Sequence, residues 1–158
     1  MEPLSLICLA GVCEKKPMDK NISQSDKTLS SAAFERLNHL RRNLLHLHKT
    51  LLDMERADYE QEFGRVNSGE LLQLALNHAQ FAWLRRISAL IVEIDEMLDA
   101  DEPATVTDVQ NVLVQARALF ISPADEAFKE KYQAALQREP EVVVSHANVV
   151  NLLRHEAL

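Results

Sequence analysis

Seven apolar residues recur along the chain at alternating steps of four and three: Ala33, Leu37, Leu40, Leu44, Leu47, Leu51 and Met54. Side chains repeating at that interval can be hidden together only if the segment is a helix and the stripe lies against other helices. Phe34, Leu45 and Leu52 flank the stripe and widen it, so the pattern predicts a helix facing a core, from about Ser31 to Phe63. Ser30 or Ser31 would cap its start, and Gly64 would stop it.

The rhythm returns downstream. Ser68 can cap a helix starting near Gly69, with Glu70 in its first turn, and Leu71, Leu72, Leu74, Ala75 and Leu76 follow densely. Asn77-His78 is a candidate break or bend. A second long stretch, Ala79 to Asp99, carries a seam of Leu84, Ile87, Ile91, Ile94 and Leu98, with Phe81, Trp83, Leu90 and Met97 beside it. Asp101-Glu102-Pro103 ends that element. Thr107 and Gln110 then read as a capping box for a helix over 108–120. Ser122-Pro123 reads as a cap with Pro at the first helical position of a fourth helix reaching about Arg138. Beyond Pro140, Val142, Val143, His146, Val149, Val150 and Leu153 outline a last amphipathic helix. With only 3 Gly and 5 Pro in 158 residues and no second strand for Val142-Val143-Val144 to pair with, helix is expected throughout. The fold class is all-α: an antiparallel bundle of about five helices, built on a long hairpin over residues 31–99 and forming one domain over residues 31–158.

Residues 1–30 are expected to be a flexible leader. The run Leu4 to Cys13 has the length of a signal-peptide core, but Glu2 stands where a basic residue should precede it. Val12 likewise stands before Cys13 where a lipoprotein cleavage box needs a small residue. The run is too short to span a bilayer. Met18 opens a polar stretch that would serve as a start, which makes residues 1–17 an over-extended beginning or a loose tail. Cys8 and Cys13 are the two cysteines. They lack the further ligands of a zinc site, and their scarcity suits a reducing compartment, the cytoplasm.

If the two long helices are antiparallel about a loop centred on Val66-Asn67, residue i faces about residue 133 minus i. Arg36, Arg41 and Arg42 then lie along Glu93, Asp95, Glu96 and Asp99. The acidic cluster, which continues through Asp101, Glu102 and Asp108, is therefore expected to be a solvated helix end partly neutralised by arginines. It lacks the glycine and ligand spacing of a calcium loop. The formal net charge of −7 repels phosphate backbones, so nucleic acid is not an expected partner.

No catalytic or metal constellation stands out, and no cofactor is expected. Nucleophile elbows, phosphate loops and dinucleotide fingerprints are absent. Paired acids such as Asp58 and Glu62 are too common on helices to signal acid–base chemistry. His39 and His46 share a flank of the first helix, with Asn43 between them, and are the candidate ligand residues. The chain contains no Glu-x-x-His motif of the kind di-metal bundles use. Arg85 and Arg86, with Trp83 and Phe81 beside them, are the candidate partner-binding residues, because aromatics and Arg dominate binding hot spots. The competing expectation is that Phe81 and Trp83 enter the core while the arginines pair with Asp53 or Glu55.

The segment GELLQLALNHAQFAWLRRISALIVEIDEMLDADEP, with ERADYEQEFG before it, resembles an uncharacterised group of small all-helical bacterial proteins over about residues 35 to 155. The resemblance implies a bacterial, cytosolic, all-helical protein and attaches no activity and no functional residue. The expected function is non-enzymatic: an interaction, scaffold or regulatory protein that binds a protein partner or self-associates as a homo-oligomer through its coiled-coil-like stripes. The alternatives are a small-ligand or metal-binding bundle near His39, His46 and Trp83, and a nucleic-acid-associated regulator, which the charge disfavours.

Overall fold

The computed structural model describes residues 22–102 and 104–154, and over them the chain is all-α. In order come α1 (Ile22–Phe63), α2 (Ser68–Asn77), a 3-10 helix (Ala79–Leu84), α3 (Arg85–Asp99), α4 (Val106–Phe120), α5 (Glu126–Arg138) and α6 (Pro140–Arg154). The apolar run with Cys8 and Cys13, Met18, Pro103 and His155 lie outside the described residues.

Among the described residues six α-helices stand where about five are expected, because the Asn77-His78 break is complete. His78 takes an extended backbone and its ring nitrogen accepts the Gln80 amide, so one helix ends and a 3-10 turn begins. α1 also starts earlier than expected, at Ile22 rather than Ser31. Nothing between Ile22 and Phe63 is Gly or Pro, and a helix once nucleated runs through Ser, Thr and Asn at a cost of only about half a kcal/mol each. Residues 22–30 of the expected leader are therefore helix, and neither Ser30 nor Ser31 caps.

The capping residues differ from the sequence expectation in a consistent way. α2 is capped by Asn67 in a reciprocal box with Glu70, not by Ser68. α4 is capped by Thr105 with Asp108, two residues before the Thr107–Gln110 pair. α5 is capped by Asp125 rather than opened by Ser122-Pro123. In each case the cap that forms includes a carboxylate accepting backbone N–H groups, a stronger bond than a neutral side chain makes. Gly64 does stop α1: it sits at φ +90, where L side chains are strained, and its N–H closes on the Glu60 carbonyl at 3.0 Å.

The stripe of α1 forms the centre of the core. Ala33, Leu37, Leu40, Leu44, Leu47 and Leu51 are at most 1% exposed. They are covered by α3 on one side and α6 on the other, while α4 lies between those two and completes the ring. α5 packs on α6 and reaches the 3-10 helix, where Phe128 meets Trp83 edge to face at 5.8 Å. The stripe is narrower than expected, since Phe34 and Leu45 stay exposed. At its upper end Met54 is only half-buried, and Glu55 turns inward instead.

Three contacts fix how α1 meets its partner. Arg41 pairs with Asp95, His48 with Ser88 at 2.8 Å, and Glu55 with Trp83 at 3.0 Å. As the α1 number rises, the partner number falls, so the 3-10 helix and α3 run antiparallel to α1. The register is displaced from the expected one: Arg41, which a loop centred on Val66-Asn67 would set near position 92, meets Asp95. The displacement arises because the connection is not a tight loop but a whole helix, α2, that does not lie along α1.

Leu44→Ala should cost about 3 kcal/mol of unfolding free energy in urea titrations, the usual cost of a cavity at a fully buried leucine. Leu45→Ala, next to it but exposed, should cost about 0.5 kcal/mol or less. Equal losses would contradict the placement of the stripe.

Candidate functional site

The distinctive local feature is the way the chain leaves α1. Arg56 donates to Glu60 at 2.8 Å and to the Val66 carbonyl at 2.7 Å, and Glu60 accepts the Val66 amide at 3.1 Å. That amide bond, ahead of the Arg56 bond, holds the Glu60 carboxyl below its ordinary range. The connection from Gly64 to Asn67 is thereby tied to the last turns of α1. The Asn67–Glu70 box then launches α2.

Further along, Glu55 draws the 3-10 helix onto α1. Its carboxylate is 3% exposed and accepts the Trp83 indole N–H at 3.0 Å and the Gln80 amide at 2.8 Å. Gln80 also donates to the Glu55 carbonyl at 3.0 Å. A buried carboxylate is tolerable only when such donors replace water. Arg85 sits just past the 3-10 helix and turns its guanidinium back onto the carbonyls of Ala75, Leu76 and His78, at 3.2, 3.1 and 3.4 Å. These are the orphan acceptors at the end of α2, and a cation there also complements the helix dipole.

The consequence is a helix held at both ends that buries no residue of its own. Leu71 and Leu74 rest against the edge of the core. On the other side Leu72 and Leu76 are 57% and 56% exposed, and nearby Phe63, the last residue of α1, is 60% exposed. Between α2 and the end of α1 lies an open groove of about 820 Å³ lined by Tyr59, Phe63, Val66, Leu74, Asn77 and His78 among others. Tyr59 organises its floor, contacting Phe63 at 4.7 Å and His78 edge-on at 5.4 Å. A second hollow of about 400 Å³ lies between α3, α4 and the start of α5, with Arg86 and Asp125 among its lining residues.

The residues singled out from sequence do not converge. Trp83 is buried, 7% exposed, with its N–H satisfied by Glu55. Arg85 caps α2, and Arg86 pairs with Asp125. Asp53 and Glu55, the expected partners of the two arginines, pair with neither: Asp53 takes Lys49 one turn earlier on α1, and Glu55 is occupied by the indole. Asp125 is held below its ordinary range first by the Phe128 amide it caps and then by Arg86. His39 and His46 are exposed on α1, away from Trp83, with His46 lying 3.9 Å from Glu141 on α6. Asp58 receives a two-pronged bond from Arg138 of α5, at 2.8 and 2.9 Å. Among the described residues no group of three or more His, Cys, Asp or Glu is placed to hold a metal ion, and no helix is long and apolar enough to cross a membrane.

No known protein family, curated protein or solved structure matches the chain. Its function must therefore be read from its own surface, on which the outer side of α2 and the groove at the end of α1 are prominent. Sequence reasoning marked α2 as densely apolar but had no signal that it stands off the core. That signal is the buried Glu55, which on a helix reads like any solvated acid.

Removing the Glu55 carboxylate, as in Glu55→Ala, strands the buried Trp83 N–H and a half-buried Gln80 N–H and should destabilise the protein by about 2–3 kcal/mol. Emission from Trp83, the chain's one Trp, should shift as its surroundings loosen. Unchanged stability and emission would show that the anchor is not needed.

The pH dependence is set first by two histidines. Burial holds His48, bonded to Ser88, below its ordinary value, and burial followed by Arg154 does the same for His146, bonded to Tyr132. The unfolded chain then binds more protons than the folded one between those lowered values and about 6.5. Stability should be full above about pH 6.5 and decline as pH falls through that window, before the carboxylates titrate. His48→Gln with His146→Gln should flatten this part of the curve in urea titrations at each pH. An unaltered slope would contradict the assignment.

Proposed function

We propose that the chain is a non-enzymatic protein–protein interaction module: an antiparallel helical bundle, working in a bacterial cytoplasm, whose docking element is the outer face of α2 with the adjoining end of α1. The observation that carries this reading is the exposure of Leu72 and Leu76 on the outer side of α2, with Phe63 exposed at the end of α1 where it lines the groove. Leu72 and Leu76, each a little over half exposed, forgo part of the about 1.5–3 kcal/mol that full burial of a leucine returns, and exposed apolar residues gathered on one short helix are a feature of partner sites.

Self-association through the long α1 stripe has no free surface to use, because that stripe is covered within the chain by α3 and α6. Of the sequence candidates for partner contact, Arg85 and Trp83 support the docking element from behind in this reading, while Arg86 pairs with Asp125. Arg85 closes the end of α2, and Trp83 fixes the 3-10 helix from which Arg85 projects. The cytoplasmic placement rests on the sparse cysteines and on the resemblance to small bacterial proteins.

A photoreactive residue placed at Leu72 or Leu76 should trap protein adducts in living cells far more strongly than one at Val92, an exposed apolar position on α3. Adducts no more abundant at positions 72 and 76 than at 92 would reject the docking role.

A further inference from the structure

The flank of α1 turned toward α3 carries a second row of side chains that the core leaves in water, and we infer that the chain's own apolar run, Leu4 to Cys13, covers it. Phe34, Arg41, Leu45 and His48 share this flank, at steps of seven, four and three. Arg41 and His48 reach across to Asp95 and Ser88, and these two contacts set position 45 opposite positions 91 and 92. Ile91 is buried, whereas Val92 faces outward. Leu45 and Val92 therefore stand on either side of the α1–α3 seam, 40% and 52% exposed, with Phe34 nearer the start of α1 at 46%. The flank toward α6 is polar instead: it carries His39, Asn43 and His46, with His46 facing Glu141.

Reach fits the run to this row. The run precedes the described residues, and its near end, Cys13, is nine residues from Ile22, which spans about 32 Å at full extension. Phe34 and Leu45 lie about 18 and about 34 Å along α1 from Ile22. Pro17 disfavours helix at Lys16, so nothing holds the run in line with the axis of α1, and a run that folds back along the helix lies over the row in full. The α2 groove fits it less well. Tyr59 is about 56 Å along α1 from Ile22. Leu4 attains it only with about 65 Å of chain drawn out, and the rest of the run then lies outside the groove.

Charge selects the same side of α1. Lys15 and Lys16, next to the run, stand at most about 25 Å of chain from Ile22, and so come down beside the first half of α1. In the observed register Asp99, the last residue of α3, stands opposite position 37, about 22 Å along α1 from Ile22. Glu96, Asp99, Asp101 and Glu102 are exposed there, and among the described residues no cation pairs with them. Between the run and α1 the chain holds Lys15, Lys16 and Lys20 against Glu14 and Asp19, a positive balance in a chain of formal net charge −7. A basic link drawn to the acidic end of α3 sets the run on the α3 side of α1. The inference is independent of the docking role of α2.

Cys8 and Cys13, the chain's two cysteines, both lie in the run and report on its surroundings. Covering by one short segment is worth less than core packing, so thiol rates are a sharper readout than the unfolding midpoint. In the reduced full chain near neutral pH, at least one thiol should react with an aromatic disulfide reagent about tenfold more slowly than in the urea-unfolded chain, because a covered thiol reacts only when the run opens. Leu45→Gln with Val92→Gln should restore the fast rate. Both positions are exposed, so circular dichroism should report an intact bundle. Lys15→Glu with Lys16→Glu should restore it too, at low salt. To place the run, Val92→Cys is oxidised mildly in a chain carrying Cys13→Ser and again in one carrying Cys8→Ser, beside Leu72→Cys in the same two backgrounds. A disulfide within one molecule should close with position 92 and not with position 72. Fast thiols in the wild type, slow thiols in both double variants, equal closure at position 72, or a disulfide joining two molecules each overturns the inference.

Discussion

The contact between Glu55 and Trp83 decides the upper half of the molecule. Up to Leu51 the fully buried face of α1 is apolar, and its polar contacts, Arg41 with Asp95 and His48 with Ser88, lie at the margins of that face. At Glu55 the requirement changes: a carboxylate inside the protein must find donors, and the indole of Trp83 with the amide of Gln80 supplies them. Satisfying it brings the 3-10 helix against the last turns of α1. That position is then closed to α2, although α2 precedes the 3-10 helix and its leucines would otherwise be the nearest apolar cover.

The displaced helix is held with polar bonds instead. A helix of ten residues is too short to persist in water on propensity alone, and α2 buries none of its residues. What it has is a reciprocal box at its start, a tied connection from α1 before that, and a guanidinium over its final carbonyls. These features act on its ends and leave its outer face free. They also explain why Arg85 and Arg86, neighbours in sequence, have different tasks. Arg85, half-buried, reaches back to α2, while Arg86 on the next flank reaches forward to Asp125.

Much of this was legible in the residues. The spacing of Ala33 to Leu51 specifies α1 and its buried face, and Leu84 to Ile94 specify the helix that covers it. The basic flank of α1 meeting the acidic end of α3 follows from antiparallel topology, and Arg41 with Asp95 realises it. Gly64 marks the stop. What periodicity could not supply was the choice between nearby capping residues, which depends on a carboxylate: three positions on for Asn67 and Thr105, and in the cap itself for Asp125. Nor could it supply the destination of α2. Leu71, Leu72, Leu74 and Leu76 look like core by composition, and only the prior claim of Trp83 on Glu55 leaves two of them outside. The partners of the two arginines were misread for the same reason, since the acids assigned to them were already engaged.

The exposed leucines would be easy to explain if α2 were a loose segment caught in one of many positions. Its bonding argues otherwise. Arg85 reaches three carbonyls at the end of the helix, and ordering so long a side chain costs about 2 kcal/mol of rotamer entropy. The Asn67–Glu70 box and the Arg56–Glu60–Val66 ties order further polar groups. Such bonds, largely at the surface, return only about 0.5–1.5 kcal/mol each. If the sole result were an apolar face in water, replacing Leu72 and Leu76 by polar residues would improve solubility at no cost to packing, because neither is buried. A short helix presented rigidly, with its apolar side outward and a hollow beside it, is instead what a docking surface requires. The ordering cost is met in the free molecule, and less remains to be met when a partner arrives.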